Sequence, residues 1–168
     1  MTELIFDPNY WQLRLDHATR LDKPHHAVFC CGDEQWQKIE AKHREILKRV
    51  ISFNDYVLDA GCGYGRLLTL MPPRDDWQGN YLGVDLSPAF IEQAARLHPS
   101  RKFAVADMRS MRQLGDDWFD VAVLISIRPM IKRHGGEEEW AKCERELRRV
   151  ARKLLFLEYD AKDEGSLE

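Results

Sequence analysis

The chain has few cysteines, and their spacing does not suit a protein held together by disulfide bonds or zinc. There are 4 cysteines in 168 residues: Cys30 and Cys31 are adjacent, and Cys62 and Cys143 lie far from them. Small secreted scaffolds carry a denser cysteine framework, and zinc sites usually show paired C-x-x-C ligands. We therefore expect the cysteines to be reduced thiols.

Long apolar runs are also missing. No stretch approaches the ~20 apolar residues that a membrane-spanning helix needs. The first residues, MTELIFDPNYW, show neither the basic start nor the apolar run of a signal peptide. The sequence therefore predicts a cytoplasmic location and no membrane partner.

A large excess of either charge is absent as well. Lys and Arg total 25 against 28 Asp and Glu, which gives a formal net charge of -3. Proteins that bind nucleic acid usually carry a strongly basic surface, so we do not expect a nucleic-acid partner. What the chain does have is 44% hydrophobic and 32% charged residues, the composition of one folded domain with its own core.

Short, nearly continuous apolar runs predict buried strands at residues 56–59, 81–85, 102–105, 119–126 and 153–159. Strands without polar alternation are typical of parallel sheets that helices cover on both faces. Helical patterns occur at residues 8–20, 33–50, 88–97 and 137–152, the third after a Ser87-Pro88 start signal. The sequence therefore predicts an α/β fold built on an open, mostly parallel twisted sheet.

The most informative stretch is a glycine-rich turn directly after the first predicted strand. It reads Asp59-Ala60-Gly61-Cys62-Gly63-Tyr64-Gly65. Alternate glycines let the backbone bend tightly and approach a ligand more closely than a Cβ would allow. Open parallel sheets bind ligands beyond the carboxyl ends of their strands, which is where this turn lies.

Two acids indicate which ligand suits the turn. A dinucleotide site has the spacing G-x-G-x-x-G, whereas this chain has G-x-G-x-G after Asp59. The carboxylate of Asp59 would repel a pyrophosphate and attract an ammonium or sulfonium group. Asp85 ends the second strand, where it is placed to accept hydrogen bonds from ribose hydroxyls. The pattern favours a cationic nucleoside and disfavours a nicotinamide-dependent oxidoreductase.

This turn resembles motif I of the class I S-adenosylmethionine-dependent methyltransferases, and the family's later motifs follow it in order. The resemblance covers about residues 53–160. It implies a Rossmann-like fold, S-adenosylmethionine as cofactor, S-adenosylhomocysteine as product, and methyl transfer to a small molecule. The cofactor-binding residues that it implies are Asp59, Gly61, Cys62, Gly63, Gly65, Asp85, Leu86, Asp107, Met108 and Ser126.

The resemblance also gives separate roles to some of these residues. It implies that Asp85 binds the ribose and that Leu86 packs on the adenine. The Asp107 side chain and the Met108 backbone amide would contact the adenine edge. The strand at residues 119–123 resembles the one that leads to the substrate end of the family's pocket.

The acceptor is expected near a loop predicted after the fourth strand, at residues 126–136. That loop lacks the Asn-Pro-Pro-aromatic tetrad that in this family signals methylation of base or glutamine nitrogens. Arg128, Lys132 and Arg133 bring positive charge to it and suggest an anionic acceptor, such as a carboxylate or phosphate ester. Arg128 and Lys132 are candidate substrate-binding residues, and His134 is the candidate catalytic base. A solvated surface position is the alternative for each.

The amino-terminal part suggests a cover for the cofactor. Tyr10, Trp11 and Arg14 predict that this part folds over the bound cofactor, and Tyr10 is a candidate substrate-binding residue. The His pair at residues 25–26 and the Cys pair at residues 30–31 invite a metal site. Adjacent residues do not all face one ion, however, and no second cluster adds ligands, so no metal is predicted.

The domain is expected to have three parts: a helical preamble or lid at residues 1–52, the cofactor-binding core at residues 53–160, and a charged tail at residues 161–168. In the family, the sheet usually continues past its fifth strand to an antiparallel pair, for which this tail is too short and too charged. The sheet is therefore expected to be truncated there, with an apolar edge that needs a cover. A partner subunit, the run at residues 27–31 and a missing segment are the alternatives, and we favour a homodimer.

Two other functions stay open on the sequence alone. The chain could bind S-adenosylmethionine for different chemistry, such as a lyase or aminopropyl-transfer reaction. It could also be a catalytically inactive partner subunit, since one fold serves many functions.

Overall fold

Strands and helices alternate in the computed structural model, which describes residues 4–21, 33–71, 80–158 and 166–167. A 3₁₀ turn at Leu4–Phe6 precedes the helices α1 (Pro8–Arg20), α2 (Asp33–Val50), α3 (Arg66–Leu70), α4 (Pro88–Leu97) and α5 (Ile127–Val150). The strands are β1 (Val57–Ala60), β2 (Tyr81–Asp85), β3 (Lys102–Val105), β4 (Val121–Ile125), β5 (Leu154–Leu157) and β6 (Ser166–Leu167).

The strands form one sheet in the order β3-β2-β1-β4-β5-β6. The pairs from β3 to β5 are parallel, and β6 pairs antiparallel with β5. The strand order changes direction between β1 and β4, which is the point where open α/β sheets leave a crevice for a ligand. The predicted α/β fold with a mostly parallel sheet is therefore confirmed.

Apolar side chains cover both faces of the sheet. Alternate residues of β1 enter different clusters: Leu58 packs with Trp140 and Leu147 of α5, whereas Val57 packs with Leu47 of α2 and Leu67 of α3. All residues of β1 and β5 are buried. Burial on both faces explains why these strands lack polar alternation in the sequence.

Side chains at the helix starts explain where two helices begin. The Asp7 carboxylate accepts a hydrogen bond from the Asn9 amide at 2.9 Å, directly before Pro8 in the first turn of α1. The Ser87 hydroxyl accepts from the Phe90 amide at 3.4 Å and caps α4. Both helices begin directly after these capping residues, with a proline in the first position.

The loop predicted at residues 126–136 is wrong, because α5 already begins at Ile127. Ile127, Met130 and Ile131 follow helical spacing, and Pro129 is tolerated in a first turn where its missing amide proton is not needed. Gly136 then interrupts the helix with φ 80° and ψ 176°. The helix predicted at residues 137–152 corresponds to the second part of α5.

Past β5, the described residues 166–167 form one further strand, in which Leu167 pairs with Leu155 and Ser166 with Phe156. The described part of the tail thus adds an antiparallel strand to the sheet. In the part of the chain that the structure describes, no helix is long and apolar enough to cross a bilayer. The division at residues 1–52, 53–160 and 161–168 stays a prediction.

Candidate functional site

A cavity opens at the carboxyl ends of β1, β2, β3 and β4. The space inside its wall is about 760 Å³ when the open solvent at its mouth is included. Its wall is formed by Ile5, Phe6, Trp11, Gly61, Gly63, Asp85, Leu86, Phe90, Ala106, Asp107, Met108, Ile125, Ser126, Ile127, Met130 and Ile131. The cavity thus lies where the strand order predicts a ligand.

The structure brings most of the predicted cofactor-binding residues into this wall: Gly61, Gly63, Asp85, Leu86, Asp107, Met108 and Ser126. Asp59, Cys62 and Gly65 are buried and are not part of this wall. Gly65 packs against His98, whose Cδ2 would lie 2.7 Å from a Cβ at that position.

The floor of the cavity is the glycine turn. The Gly61 and Cys62 amides both donate to the Val84 carbonyl, at 2.8 and 2.9 Å, which fixes the turn to β2. Gly61 has φ 74° and Gly63 has φ 53°, in the left-handed region that favours glycine. A Cβ at Gly61 would lie only 2.6 Å from Cδ1 of Ile127. A side chain there would therefore strain the backbone and collide with α5.

Asp85 ties this floor to the start of α4. Its Oδ2 accepts from the Gly63 amide at 2.9 Å, and its Oδ1 accepts from the Ser87 amide at 2.9 Å. Burial raises the pKa of Asp85, and these backbone hydrogen bonds act in the opposite direction. The Leu86 amide also donates to this carboxylate, which keeps acceptor capacity for a ligand hydroxyl.

Asp59 is buried, and Tyr81 donates a hydrogen bond to its Oδ2 at 2.8 Å. Burial raises the pKa of Asp59 to about 7, although the Tyr81 hydrogen bond lowers it. A buried carboxyl in this state becomes ionised more readily when a cation binds nearby. Burial also raises the pKa of the adjacent Cys62 thiol, which is therefore a poor nucleophile.

Ser126 ends β4 with an unusual backbone and an unused hydroxyl. Its φ is 57°, which is rare for a residue with a side chain. Its Oγ is buried, and none of the described residues forms a hydrogen bond with it. A buried hydroxyl without a partner destabilises a fold, so the cavity contains a polar atom that a bound ligand could satisfy.

These features fit S-adenosylmethionine. Gly61 and Gly63, which have no Cβ, let a ligand approach the backbone of the turn, and the Asp85 carboxylate lies at the end of the next strand. The Ser126 hydroxyl in the same wall offers a further hydrogen bond. The carboxyl of Asp59 suits a ligand with positive charge.

At the end of β3, Asp107 is held by Arg109. The Arg109 amide and Nε reach Oδ1 of Asp107 at 2.9 and 3.0 Å, and Nε and Nη2 reach Oδ2 at 3.0 and 2.6 Å. Burial alone would raise the pKa of Asp107, but the hydrogen bonds and charge of Arg109 outweigh it and lower the pKa. Arg109 was not among the predicted site residues. Its only signal in the sequence is a cation two residues after an acid at a strand end.

The amino-terminal segment forms one wall of the cavity through Ile5, Phe6 and Trp11. Trp11 Nε1 donates to the Ile5 carbonyl at 2.9 Å, which connects the 3₁₀ turn to α1. Ile5 and Phe6 were missed, because a three-residue apolar run carries no periodicity. Tyr10 packs edge-on against Trp11 with ring centroids 5.0 Å apart, and its hydroxyl accepts from Arg14 at 3.4 Å. Neither Tyr10 nor Arg14 is part of the wall.

The predicted acceptor residues lie on α5 beside the cavity. Arg128 Nε donates to Glu158 at 3.1 Å, and its guanidinium lies 4.2 Å from the centre of the Phe156 ring. Lys132 pairs with Glu137 at 3.1 Å, and His134 is exposed. Neither cation nor His134 lines the cavity. The face of α5 that does line it is apolar, at Ile127, Met130 and Ile131.

Metal ligands do not gather in the described ranges, where no group of three or more His, Cys, Asp or Glu could hold an ion. The pairs at residues 25–26 and 30–31 lie outside those ranges, as does the run at residues 27–31. Cys62 and Cys143 are buried free thiols.

Comparison with known proteins agrees with this geometry. The profile of a family described as a methyltransferase domain matches residues 57–153. A trans-aconitate 2-methyltransferase of Escherichia coli O157:H7 is 41% identical over 68 residues, which are 39% of this chain and 26% of that protein. The aligned part thus spans about a quarter of the relative's length.

Solved structures share the fold. A TehB-like S-adenosylmethionine-dependent methyltransferase of Corynebacterium glutamicum superimposes with a TM-score of 0.56 at 18% identity, over 89% of this chain and 73% of that chain. A protein of Pyrococcus horikoshii OT3 superimposes with a TM-score of 0.57 at 24% identity, over 80% of this chain and 65% of that chain. The matched family profile spans more than half of the chain, from β1 to the residue before β5. The chain therefore belongs to the class I, Rossmann-like family of S-adenosylmethionine-dependent methyltransferases.

Proposed function

We propose that this protein transfers the methyl group of S-adenosylmethionine to a small molecule that enters the apolar side of the cavity. One observation carries the proposal. The glycine turn and the unpaired Ser126 hydroxyl share one cavity with the apolar side chains Ile127, Met130 and Ile131. The polar end suits the cofactor, and the apolar end leaves a surface for the acceptor.

The chemistry asks little of the protein beyond alignment. S-adenosylmethionine supplies a sulfonium methyl group, an electrophile that is already activated. The wall residues of α5 and the amino-terminal segment would orient the acceptor and exclude water. A dedicated base is needed only if the acceptor is a hydroxyl, and His134 stays the candidate for that step.

Two kinds of acceptor are candidates, one apolar and one anionic. The apolar wall supports an acceptor with an uncharged, apolar body. An anionic acceptor is the second candidate, favoured by Arg128 and Lys132 beside the cavity and by the partial similarity to a trans-aconitate methyltransferase. Both cations already pair with carboxylates, so an anion would have to displace or share those partners.

A thermal-shift experiment tests cofactor binding. The unfolding midpoint should rise with S-adenosylmethionine and with S-adenosylhomocysteine but not with NAD, because only a ligand of the native state stabilises it. A shift with NAD alone would contradict the proposal.

An acceptor panel then tests the reaction. Release of S-adenosylhomocysteine should depend on an added acceptor, with uncharged apolar compounds and carboxylates as separate arms. Arg128→Gln should raise KM only in the carboxylate arm, and the remote exposed variant Arg148→Gln is its control. Turnover of bound cofactor without methyl transfer to any acceptor would favour the lyase or aminopropyl alternative.

We also propose a cytoplasmic homodimer. The support is the apolar strand β5, of which Leu155 and Phe156 alone pair with the described residues of β6. Light scattering that shows a monomer at micromolar concentration would contradict the dimer.

A further inference from the structure

We propose that Arg109 is a positioning residue that fixes the end of the cavity at β3, where it joins the amino-terminal segment to the sheet and to α5. The set formed by Phe6, Asp107, Arg109 and Glu139 is called the clasp below. The inference rests on the proposed function, because it assumes that the cavity binds S-adenosylmethionine or its product.

The contacts of Arg109 reach three parts of the chain that are far apart in sequence. Its guanidinium donates hydrogen bonds to the Asp107 carboxylate after β3, and from Nη1 to the Glu139 carboxylate of α5 at 3.1 Å. The flat face of the same group lies 4.0 Å from the centre of the Phe6 ring. One side chain thus holds the sheet, a helix and the 3₁₀ turn together.

Two of these partners form the cavity wall. Phe6 and Asp107 both line the cavity, whereas Arg109 does not. Arg109 therefore acts on a ligand through the residues that it holds. Its contacts use both oxygens of Asp107, so they fix the orientation of that carboxylate as well as the position of the Phe6 ring.

The geometry needs arginine in particular. A guanidinium is planar, presents several donors at once and stacks on an aromatic face, whereas the ammonium of lysine is a single charged point. The side chains of Arg109 and Asp107 are each 32% exposed and that of Glu139 is 20% exposed, so solvent reaches the clasp only in part. Lysine at this position would keep the charge and lose both the fork and the stack.

A double-mutant cycle tests this role in the full chain. Arg109→Lys and Phe6→Leu should each weaken S-adenosylhomocysteine binding about tenfold in Kd by calorimetry. The double variant should be weakened by clearly less than the hundredfold that two independent effects would give, because both changes remove the same stack, although Arg109→Lys also loses the fork to Asp107. Arg148→Lys, in an exposed pair with Glu144 elsewhere on α5, is the matched control and should bind like the wild type.

A second readout needs no cofactor. Hydrogen exchange at residues 4–11 should become faster in Arg109→Lys, while the amides of β1 and β4 keep their protection. This measurement distinguishes a failure of the proposed function from a failure of the positioning role of Arg109. If the wild type does not bind S-adenosylhomocysteine, the proposed function fails, and faster exchange at residues 4–11 would still support the positioning of the wall by Arg109.

The inference is overturned if Arg109→Lys binds within twofold of the wild type, or if the two single effects multiply to about a hundredfold in the double variant. Unchanged exchange at residues 4–11 overturns it as well. If Arg109→Lys does not fold, Glu139→Gln replaces it. That variant removes one partner, should weaken binding two- to threefold, and overturns the inference if it has no effect on either readout.

Discussion

The two acidic ends of the cavity are built differently. At the glycine turn, Asp85 accepts hydrogen bonds from backbone amides and Asp59 accepts one from Tyr81. At the clasp, Asp107 pairs with the charged guanidinium of Arg109. Burial raises the pKa values of Asp59 and Asp85, whereas the hydrogen bonds and the charge of Arg109 lower the pKa of Asp107.

The difference indicates which end is fixed and which can respond. The turn is held by hydrogen bonds of its backbone amides to Val84 and Asp85, so its shape depends on the pairing of β1 with β2. The clasp depends on ion pairs and a stack between distant segments, and partly exposed ion pairs weaken with salt. We therefore expect the turn to hold the cofactor and the clasp to control how tightly the amino-terminal wall closes on it.

The largest expected effect concerns Asp59. Its pKa is about 7 in the folded chain and near 3.8 when it is unperturbed, so the folded state holds the proton more tightly. The free energy of unfolding should therefore fall as the pH rises from about 4 to about 7, by up to about 4 kcal/mol. Asn at this position does not ionise, and its side-chain oxygen still accepts from Tyr81.

Urea denaturation of Asp59→Asn checks this expectation. The stability gain of the variant over the wild type should be about 3 kcal/mol larger at pH 8 than at pH 4.5. An equal difference at both pH values would show that Asp59 does not titrate in this window.

The next effect concerns Asp85. Alanine leaves the amides of Gly63 and Ser87 without their acceptor, and unpaired buried amides destabilise a fold. We expect the unfolding free energy of Asp85→Ala to fall by about 2 to 3 kcal/mol. We also expect that this variant no longer binds S-adenosylhomocysteine measurably. Asp85→Asn keeps one acceptor oxygen and should lose less stability. If Asp85→Ala binds normally in calorimetry, the turn is not the cofactor's anchor.

The smallest expected effect is a difference in salt dependence between the glycine turn and the clasp. Between 0.1 and 1 M NaCl the screening length falls from about 10 to about 3 Å, which weakens partly exposed ion pairs. The affinity gap between the wild type and Arg109→Gln should narrow about twofold, since each exposed pair contributes under about 1 kcal/mol. The gap between the wild type and Asp85→Asn should stay constant in the same titration. If the affinity difference from the wild type stays constant with salt for both variants, the proposed contrast between the clasp and the turn is wrong.

The sequence predicts the turn well because its determinants are local. Alternate glycines, the acid before them and the acid at the end of β2 lie in short stretches whose backbone needs follow from the residue types. Short apolar runs likewise predict β1 to β5, because burial on both faces removes polar alternation.

The clasp and the amino-terminal wall could not be predicted in this way. Phe6, Arg109 and Glu139 become neighbours only through tertiary packing, which one sequence does not reveal. The start of α5 was missed because the two glycines at residues 135–136 suggest a loop, although only Gly136 breaks the helix. The candidate acceptor-binding residues were therefore predicted to lie in a loop, whereas they lie on α5. The apolar face of this helix, which lines the cavity, was not predicted.

Gly135 lies against the Phe6 ring, with little space for a side chain between them. A methyl group there would lie 3.2 Å from Cε2 of Phe6 and 3.0 Å from Cβ of Glu139, tighter than ordinary packing. Because glycine carries only a hydrogen there, the Phe6 ring fits between α5 and the guanidinium of Arg109. A larger residue at this position would push on Phe6, which lines the cavity, and is therefore a starting point for changing the shape of the cavity.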